Sequence, residues 1–476
     1  MKISEIVWDP AIYPRAKWNT NTIKSYADAM LAGANFPPII VEQDTMRLLD
    51  GKHRLEARKL IVEQAELAVR MHEHTNEKEG IDDEQIDAEI FEDIDVEIRD
   101  VPDGMTPKYF AMLLSADNGL RPSNADLKAL GREECEAVED FDPQTWGLPL
   151  GLTKSTVYRW VSDILNKRKA GRAAKAWRLS QLGWTQTEIG ERLGVSRNRI
   201  SEIVENSQLG KIDTDLGMGW NRKGVADWAE KNGVDETTAM AAAMGEMNDA
   251  ERFAEIDINT QPYDVWHFPK CHDLMGDKHP GRIPGELICH ALYFFTQPGD
   301  LVLDPMAGSG TTLDACLLMG RKTRGYDIDE RHERVDIENH DLSNGWPEKT
   351  GKADLIFWDP PYFSKKDDEY IEGSISGMDR WEYFSWLDMR LHELFDVTHS
   401  HAKLLFLMSD WDDPQKGSNG IFLWDYVRLL QDAGWKITRQ IQTPLSTQQI
   451  HPDIVNKFRS SRRLARLGRY LLVCEK

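Results

Sequence analysis

From about residue 260 onward, short apolar runs alternate with stretches of helical pattern. The runs are LVLD (301–304), TRGYD (323–327), ADLIFWD (353–359), AKLLFLMSD (402–410), WKITRQIQ (435–442) and RYLLVCE (469–475). A chain built this way has few means of burying both faces of its strands. A sheet with helices on either side, a doubly wound α/β domain, is the arrangement that fits. Ligands of such sheets bind beyond the carboxyl ends of the strands, so the residues after each run carry the functional information.

The first run opens LVLDPMAGSGTTLDACLLMG (301–320). A strand ends at Asp304, a glycine-rich turn comes next, and a helix begins. Gly308 and Gly310 let backbone approach a ligand closely, and the helix N-terminus faces it. The turn brings Pro305, Ala307, Ser309 and Thr311 to the same place. A second run ends at Asp327, about 20 residues on, where an acid accepts hydrogen bonds from a ribose diol. VDIENHDLSNG then puts Asp341 at a third strand end, either capping a helix or accepting an adenine amine. Together these residues predict a nucleoside-cofactor pocket. The fourth feature is FWDPPYF (357–363). Two prolines stop a strand and stiffen the backbone beyond it, leaving one carboxylate, backbone carbonyls and an aromatic ring held at a strand end.

DPMAGSGTT and DPPY resemble the cofactor loop and catalytic motif of the S-adenosylmethionine-dependent amino-methyltransferases of DNA. HPGRIPGELICHALYFFTQPGD (279–300) resembles the segment that precedes their cofactor loop, and would bring His279 and Pro280 to the methionine part. Met306 stands where the family usually has Phe, and it too can pack against a cofactor. The resemblance implies that the Asp359 carboxylate and Pro360 carbonyl accept the two N–H bonds of an exocyclic amine. Pro361 rigidifies the turn and Tyr362 stacks on the base. Such catalysis is positioning and electrostatics, and the base must leave the duplex. Methylation at cytosine C5 needs a Pro-Cys pair, and no cysteine here follows a proline. Protein-glutamine and RNA relatives usually carry Asn in place of the Asp. DPPY leans toward adenine N6, with cytosine N4 as the alternative.

The net charge of −22 and a pI of about 5.1 argue against a nucleic-acid partner when taken alone. Charge is uneven, however. Residues 72–103 are strongly acidic, 154–199 are basic, and a second basic run including Arg462 and Arg463 lies near the C-terminus. Local stripes decide contact with DNA. TQTEIGERLGVSRNRISEIV (185–204) fits a helix-turn-helix: Gly190 for close helix contact, Gly194 for the turn, Ser196 as a cap. Arg197, Asn198 and Arg199 would then open the recognition helix. Residues 153–165 read as a unit of the same kind nearer the N-terminus, with Thr153 as cap and Lys154, Ser155, Thr156 and Arg159 toward DNA, although Pro149 interrupts its first helix.

LLDGKHRLEARKL (48–60) and ADNGLRPSNAD (116–126) resemble motifs of the N-terminal domain of ParB-type partition proteins. The resemblance implies CTP as a ligand, with Gly51, His53 and Arg54 opening an anion-binding helix and Asn118 and Arg121 completing it. A scaffold without nucleotide is the alternative.

The expected organisation is multidomain. An α+β ParB-like domain (1–104) precedes an all-α helix-turn-helix region (105–206), a helical connector (207–258) and an α/β Rossmann-like methyltransferase domain (259–476). Duplex DNA is the expected partner, and a homodimer is a further expectation. The expected activity is methyl transfer from S-adenosylmethionine. The competing reading is a DNA-binding partition or regulatory protein whose methyltransferase domain only senses cofactor. Five scattered cysteines suggest neither a metal site nor a disulfide framework. No apolar run is long enough for a bilayer, and MKISEIVWDP carries no leader pattern, so a reducing cytoplasm is the expected setting.

Overall fold

The computed structural model describes the chain apart from residues 14–18, 75–90, 118–121, 218, 279–281, 330–333, 362–374, 414–417, 421, 445–454, 457–458, 463 and 465–466. The chain forms two compact units, Met1–Asn166 and Lys167–Lys476. The division falls within one long helix, Lys154–Gln181.

Unit 1 is α+β. Strands β1 (Ile39–Glu42), β2 (Leu48–Asp50) and β3 (Val96–Arg99) form a sheet of order β2-β1-β3, antiparallel on one side and parallel on the other. The helix Lys52–His74 leaves β2 through Gly51, whose φ of 101° excludes ordinary side chains. Ile6, Ile39, Val41, Leu48, Leu55 and Ile94 fill a core on this sheet. A separate helical core gathers Tyr109, Met112, Leu130, Trp146, Val157 and Val161.

Unit 2 is built on seven strands: β4 (Leu301–Asp304), β5 (Lys322–Asp327), β6 (Ile337–Asn339), β7 (Leu355–Trp358), β8 (Lys403–Ser409), β11 (Lys436–Gln442) and β12 (Arg469–Glu475). A small hairpin, β9 (Trp411–Asp413) and β10 (Ser418–Gly420), stands apart from the sheet. The sheet order is β11-β12-β8-β7-β4-β5-β6. The pairs from β6 to β8 are parallel, and β12 is antiparallel to both β8 and β11. This is the doubly wound, Rossmann-like sheet expected from the alternation, closed by the hairpin expected from WKITRQIQ and RYLLVCE. Its order reverses between β4 and β7, which places a crevice at their carboxyl ends.

The grouping differs from the sequence-based boundaries, since unit 1 takes in residues 105–166 as well as 1–104. The helices Gln186–Leu193, Arg197–Glu205, Arg222–Asn232, Glu236–Met244 and Asp249–Glu255 share a core with the sheet, and do not form a separate region and connector. The reason lies in ETTAMAAAM. Every residue from Thr238 to Met244 is buried, and a helix apolar all round must be enclosed by its neighbours. Arg321 ties this layer to the sheet through Asp249, and Arg252 donates to the Leu318 carbonyl at 2.7 Å.

Candidate cofactor and catalytic site

The turn after β4 is braced from three sides. Asp304 accepts from the Met306 N–H at 3.0 Å, the Ala307 N–H donates to Tyr326 O at 2.8 Å, and Gly308 N–H donates to the Asp327 carboxylate at 2.8 Å. Gly308 and Gly310 both adopt left-handed backbone, with φ of 49° and 79°. Their surroundings differ. A side chain at Gly310 would collide with the Arg334 guanidinium, whereas the space above Gly308 is open. The N-terminus of the helix Thr311–Leu318 and Asp327 flank that opening. Asp327 also accepts from the Asp329 N–H at 3.0 Å. Asp341 accepts from the Ser343 N–H at 2.8 Å and caps a short 3-10 turn after β6.

The segment before the helix Gly285–Phe295 lies against this turn. The Asp277 N–H donates to Ser309 O at 2.9 Å, and the Gly276 N–H donates to Asp314 at 2.7 Å. His279 and Pro280 fall outside the described residues.

Asp304 and Asp359 end the neighbouring strands β4 and β7, paired in register through Leu303 and Ile356. Burial pushes the Asp304 carboxyl up to about 7, and the charges of Asp359 and Asp327 push the same way. A hydrogen bond from Thr312 works against them. The predicted cofactor turn and the predicted acceptor therefore share one electrostatic environment. Pro360 is buried. The Pro361 carbonyl accepts from the buried Tyr383 hydroxyl at 3.0 Å, which in turn lies 3.2 Å from the Tyr426 hydroxyl. Tyr362 is outside the described residues.

Several supporting groups escaped the sequence reading. Arg178 and Arg334 enclose Asp314 and Asp336. Arg178 bonds Asp336 at 2.7 Å and also pairs with Asp314, and Arg334 reaches Asp314 at 2.8 Å and Asp336 at 3.0 Å. Burial opposes ionisation of Asp336, but the two guanidiniums hold its carboxyl well below the usual range. This network joins the helix that leads into the helix-turn-helix to the helix after the cofactor turn. The available signal was Asp314 itself, a lone acid in the otherwise uncharged helix TTLDACLL. Nothing local marked Tyr383 or Tyr426.

The helix-turn-helix adopts the expected form. Thr185 and Glu188 make a capping box, Gly194 closes the first helix with φ of 64°, and a side chain at Gly190 would come within 2.5 Å of Val195 O. Ser196 holds the N-cap position, but its hydroxyl makes no cap hydrogen bond, contrary to expectation. Glu188 binds Lys349 at 2.9 Å and Arg324 at 3.2 Å, and Arg192 donates to Val335 O at 2.9 Å. The first helix is thus fastened to the sheet, while Arg197, Asn198 and Arg199 on the second are exposed. Lys154, Arg159 and Arg462 are exposed as well, and Arg463 is not described.

In unit 1, a recess of about 140 Å³ is lined by Asp50, Gly51, Lys52, His53, Arg54 and Ser115 together with Tyr13 and Tyr26. Arg54 is already engaged within it, donating to Pro37 O at 2.6 Å, Pro38 O at 2.7 Å and Asp50 at 2.7 Å. His53 accepts from the Asn19 N–H at 3.3 Å. Asn118 and Arg121 lie outside the described residues.

Comparison with known proteins gives two family matches. Residues 224–338 match the DNA methylase family of N6 and N4 type, and residues 175–209 match a helix-turn-helix family. The first match contains the cofactor turn and Asp327 and ends before Asp359. The DNA adenine methyltransferase YhdJ of Escherichia coli (strain K12) is 35% identical over 85 residues, 17% of this chain and 29% of that protein. The orphan methyltransferase M.BamHII of Bacillus amyloliquefaciens is 33% identical over 87 residues, 17% of this chain and 32% of that protein. The chain thus spans about a third or less of the curated relatives it matches. Among solved structures, TrmN from Thermus thermophilus aligns at 16% identity and a TM-score of 0.26, covering 41% of this chain and 49% of its own, too loosely to support an argument.

Proposed function

We propose that the protein is a DNA amino-methyltransferase that acts on a base turned out of the duplex, with adenine N6 as the target atom. The observation that carries the proposal is the adjacency of the open glycine turn after Asp304 and the Asp359 corner, on neighbouring strands where the sheet order reverses. The match of 224–338 to a DNA methylase family and the likeness to the DNA adenine methyltransferase YhdJ support the same reading.

Residues 304–311 with Asp327, Asp341, His279 and Pro280 would hold S-adenosylmethionine. When bound, it supplies an electrophilic methyl group. Asp359 and the Pro360 carbonyl accept the amine N–H bonds and orient its lone pair. Tyr383, by donating to Pro361 O, keeps that corner from rotating. Tyr362 stacks on the base. The arginines and Asn198 at the start of the recognition helix, with Ser196, Arg462 and Arg463, hold the duplex.

The test is transfer of labelled methyl from S-adenosylmethionine to DNA, with modified-base sequencing of the product. Asp359→Ala should lower the rate by about 10²–10³-fold or more while DNA retention persists. Wild-type protein that retains DNA and methylates none would favour the regulatory alternative, and methyl on cytosine N4 would correct the target.

For residues 1–104 we propose a ParB-like domain whose recess takes the phosphates of CTP, on the support of the glycine-led helix start and the lining Lys52 and His53. Binding of labelled CTP to the full chain tests this, and no uptake leaves a scaffold.

A further inference from the structure

The two arginines of the buried ion network hold the same pair of acids and differ in what else they touch. A guanidinium carries five N–H donors in a rigid fork, and Arg334 uses all of them. Two go to Asp314, at 2.8 and 3.0 Å, and two to Asp336, at 3.0 and 3.1 Å. The fifth goes to Ser309 O, at 3.3 Å, inside the turn that follows β4. The same carbonyl accepts from the Asp277 N–H, and Asp314 accepts from the Gly276 N–H. The guanidinium thus meets the glycine turn and the segment lying against it at one point. It also fills the place where a side chain at Gly310 would stand. Gly310 has a left-handed φ of 79°, and the turn closes onto the flat fork because no Cβ intervenes.

Arg334 is itself held from the other side. Arg192, on the first helix of the helix-turn-helix, donates to the carbonyls of Arg334 at 3.3 Å, of Val335 at 2.9 Å and of Ile337. Backbone and side chain are therefore both fixed. Arg178 reaches elsewhere. Beyond Asp314 and Asp336 it donates to Thr238 Oγ1 at 3.4 Å and lies 3.8 Å from Asp235. Among the described residues, no hydrogen bond joins it to residues 305–311.

From this asymmetry we infer that Arg334 is a positioning residue for the cofactor turn. It sets where Ser309 and Gly310 stand beside the open space above Gly308, and so sets how tightly S-adenosylmethionine is held. Arg178 balances the charge of the acids and does no more for the turn. The inference rests on the cofactor reading above and asks nothing of the base that is methylated.

The experiment is calorimetric titration of S-adenosylmethionine into the full-length wild type and two double variants, Arg334→Met/Asp336→Asn and Arg178→Met/Asp336→Asn. Each removes one arginine and the charge of one acid, and leaves a single arginine paired with Asp314, so the buried charge stays matched. A melting temperature above that of the titration checks that each is folded. If the first variant does not fold, Arg334→Lys, which keeps the charge and loses the fork, takes its place with the same expectation. The Arg334 variant should bind S-adenosylmethionine at least about tenfold more weakly, as expected for the loss of one charge-assisted hydrogen bond. The Arg178 variant should stay within about twofold of wild type. In methyl transfer the loss should fall on KM for S-adenosylmethionine and leave kcat, because a turn that holds the cofactor equally in ground and transition states contributes uniform binding. Equal affinities in the two variants would make the arginines a stabilising pair only, and the inference fails. A wild type that takes up no S-adenosylmethionine would remove the cofactor reading and this inference with it, whereas a weakened Arg334 variant beside an intact Arg178 variant supports both.

Discussion

Two strand–glycine–helix turns in this protein look alike in sequence and differ in what they enclose. One joins β2 through Gly51 to the helix Lys52–His74, and the other joins β4 through Gly308 and Gly310 to the helix Thr311–Leu318. Both present a helix start and a left-handed glycine. Above Gly308 no protein atom lies where a side chain would go, whereas at Gly51 that position is 2.5 Å from Ile39 Cγ2. The Arg54 guanidinium, three residues beyond Gly51, is satisfied by two carbonyls and a carboxylate of its own unit. A side chain would therefore meet the protein's own atoms at Gly51 and open space at Gly308. Local sequence does not separate the two cases, because the deciding atoms come from distant strands and loops.

The sharpest way to break the comparison is a methyl group at each glycine. Gly51→Ala should destabilise unit 1 by about 3 kcal/mol, from left-handed strain and overpacking on Ile39, with cofactor affinity unchanged. Chemical denaturation read by unit-1 tryptophans such as Trp146 would report it. Arg54→Ala comes next. It strands Asp50 and the Pro37 and Pro38 carbonyls, and should also cost about 3 kcal/mol. If that variant loses CTP binding with its melting temperature intact, the arginine is a ligand of the nucleotide and not only a packing group. Gly308→Ala should cost only about 1 kcal/mol, since a left-handed alanine is strained but meets nothing. It should nevertheless weaken S-adenosylmethionine at least about tenfold by calorimetric titration, because a methyl group there occupies the open space. Equal affinity would mean the cofactor lies elsewhere.

The smallest effect concerns pH. Asp304 titrates near 7 in the fold against 3.8 for a free side chain. Its neutral form is the favoured one, so its contribution is complete below 3.8 and is lost as pH rises through 7. The melting temperature of unit 2 should fall by a few degrees between about pH 6 and pH 8, and Asp304→Asn should remove that part of the slope. Asp336 acts in the opposite sense. Its depressed carboxyl stabilises above the unfolded value of 3.8, and that contribution is lost on acidification. A rising slope below about pH 4 from Asp336 and a falling slope from there up to about pH 7 from Asp304 are therefore expected, and an Asp304→Asn slope identical to wild type would show that Asp304 does not titrate there.

Much of the architecture was legible because it is written in short-range chemistry. Apolar runs of strand length, the turn glycines Gly194, Gly308 and Gly310 at φ > 0, and prolines at a strand end each act within a few residues, and each appears where expected. The fold of the sheet and the positions of Asp304, Asp327 and Asp359 at strand ends come from them. What the tertiary structure alone decided is how groups far apart in the chain satisfy one another. Arg178 and Arg334 close on Asp314 and Asp336, Tyr383 bonds Pro361 O, and Arg54 turns inward. Ser196 stands at a cap without bonding, and helices that read as a connector are enclosed by the sheet. A local motif states which groups are available, but burial and distance decide which of them are already satisfied by the protein and which are left for a ligand.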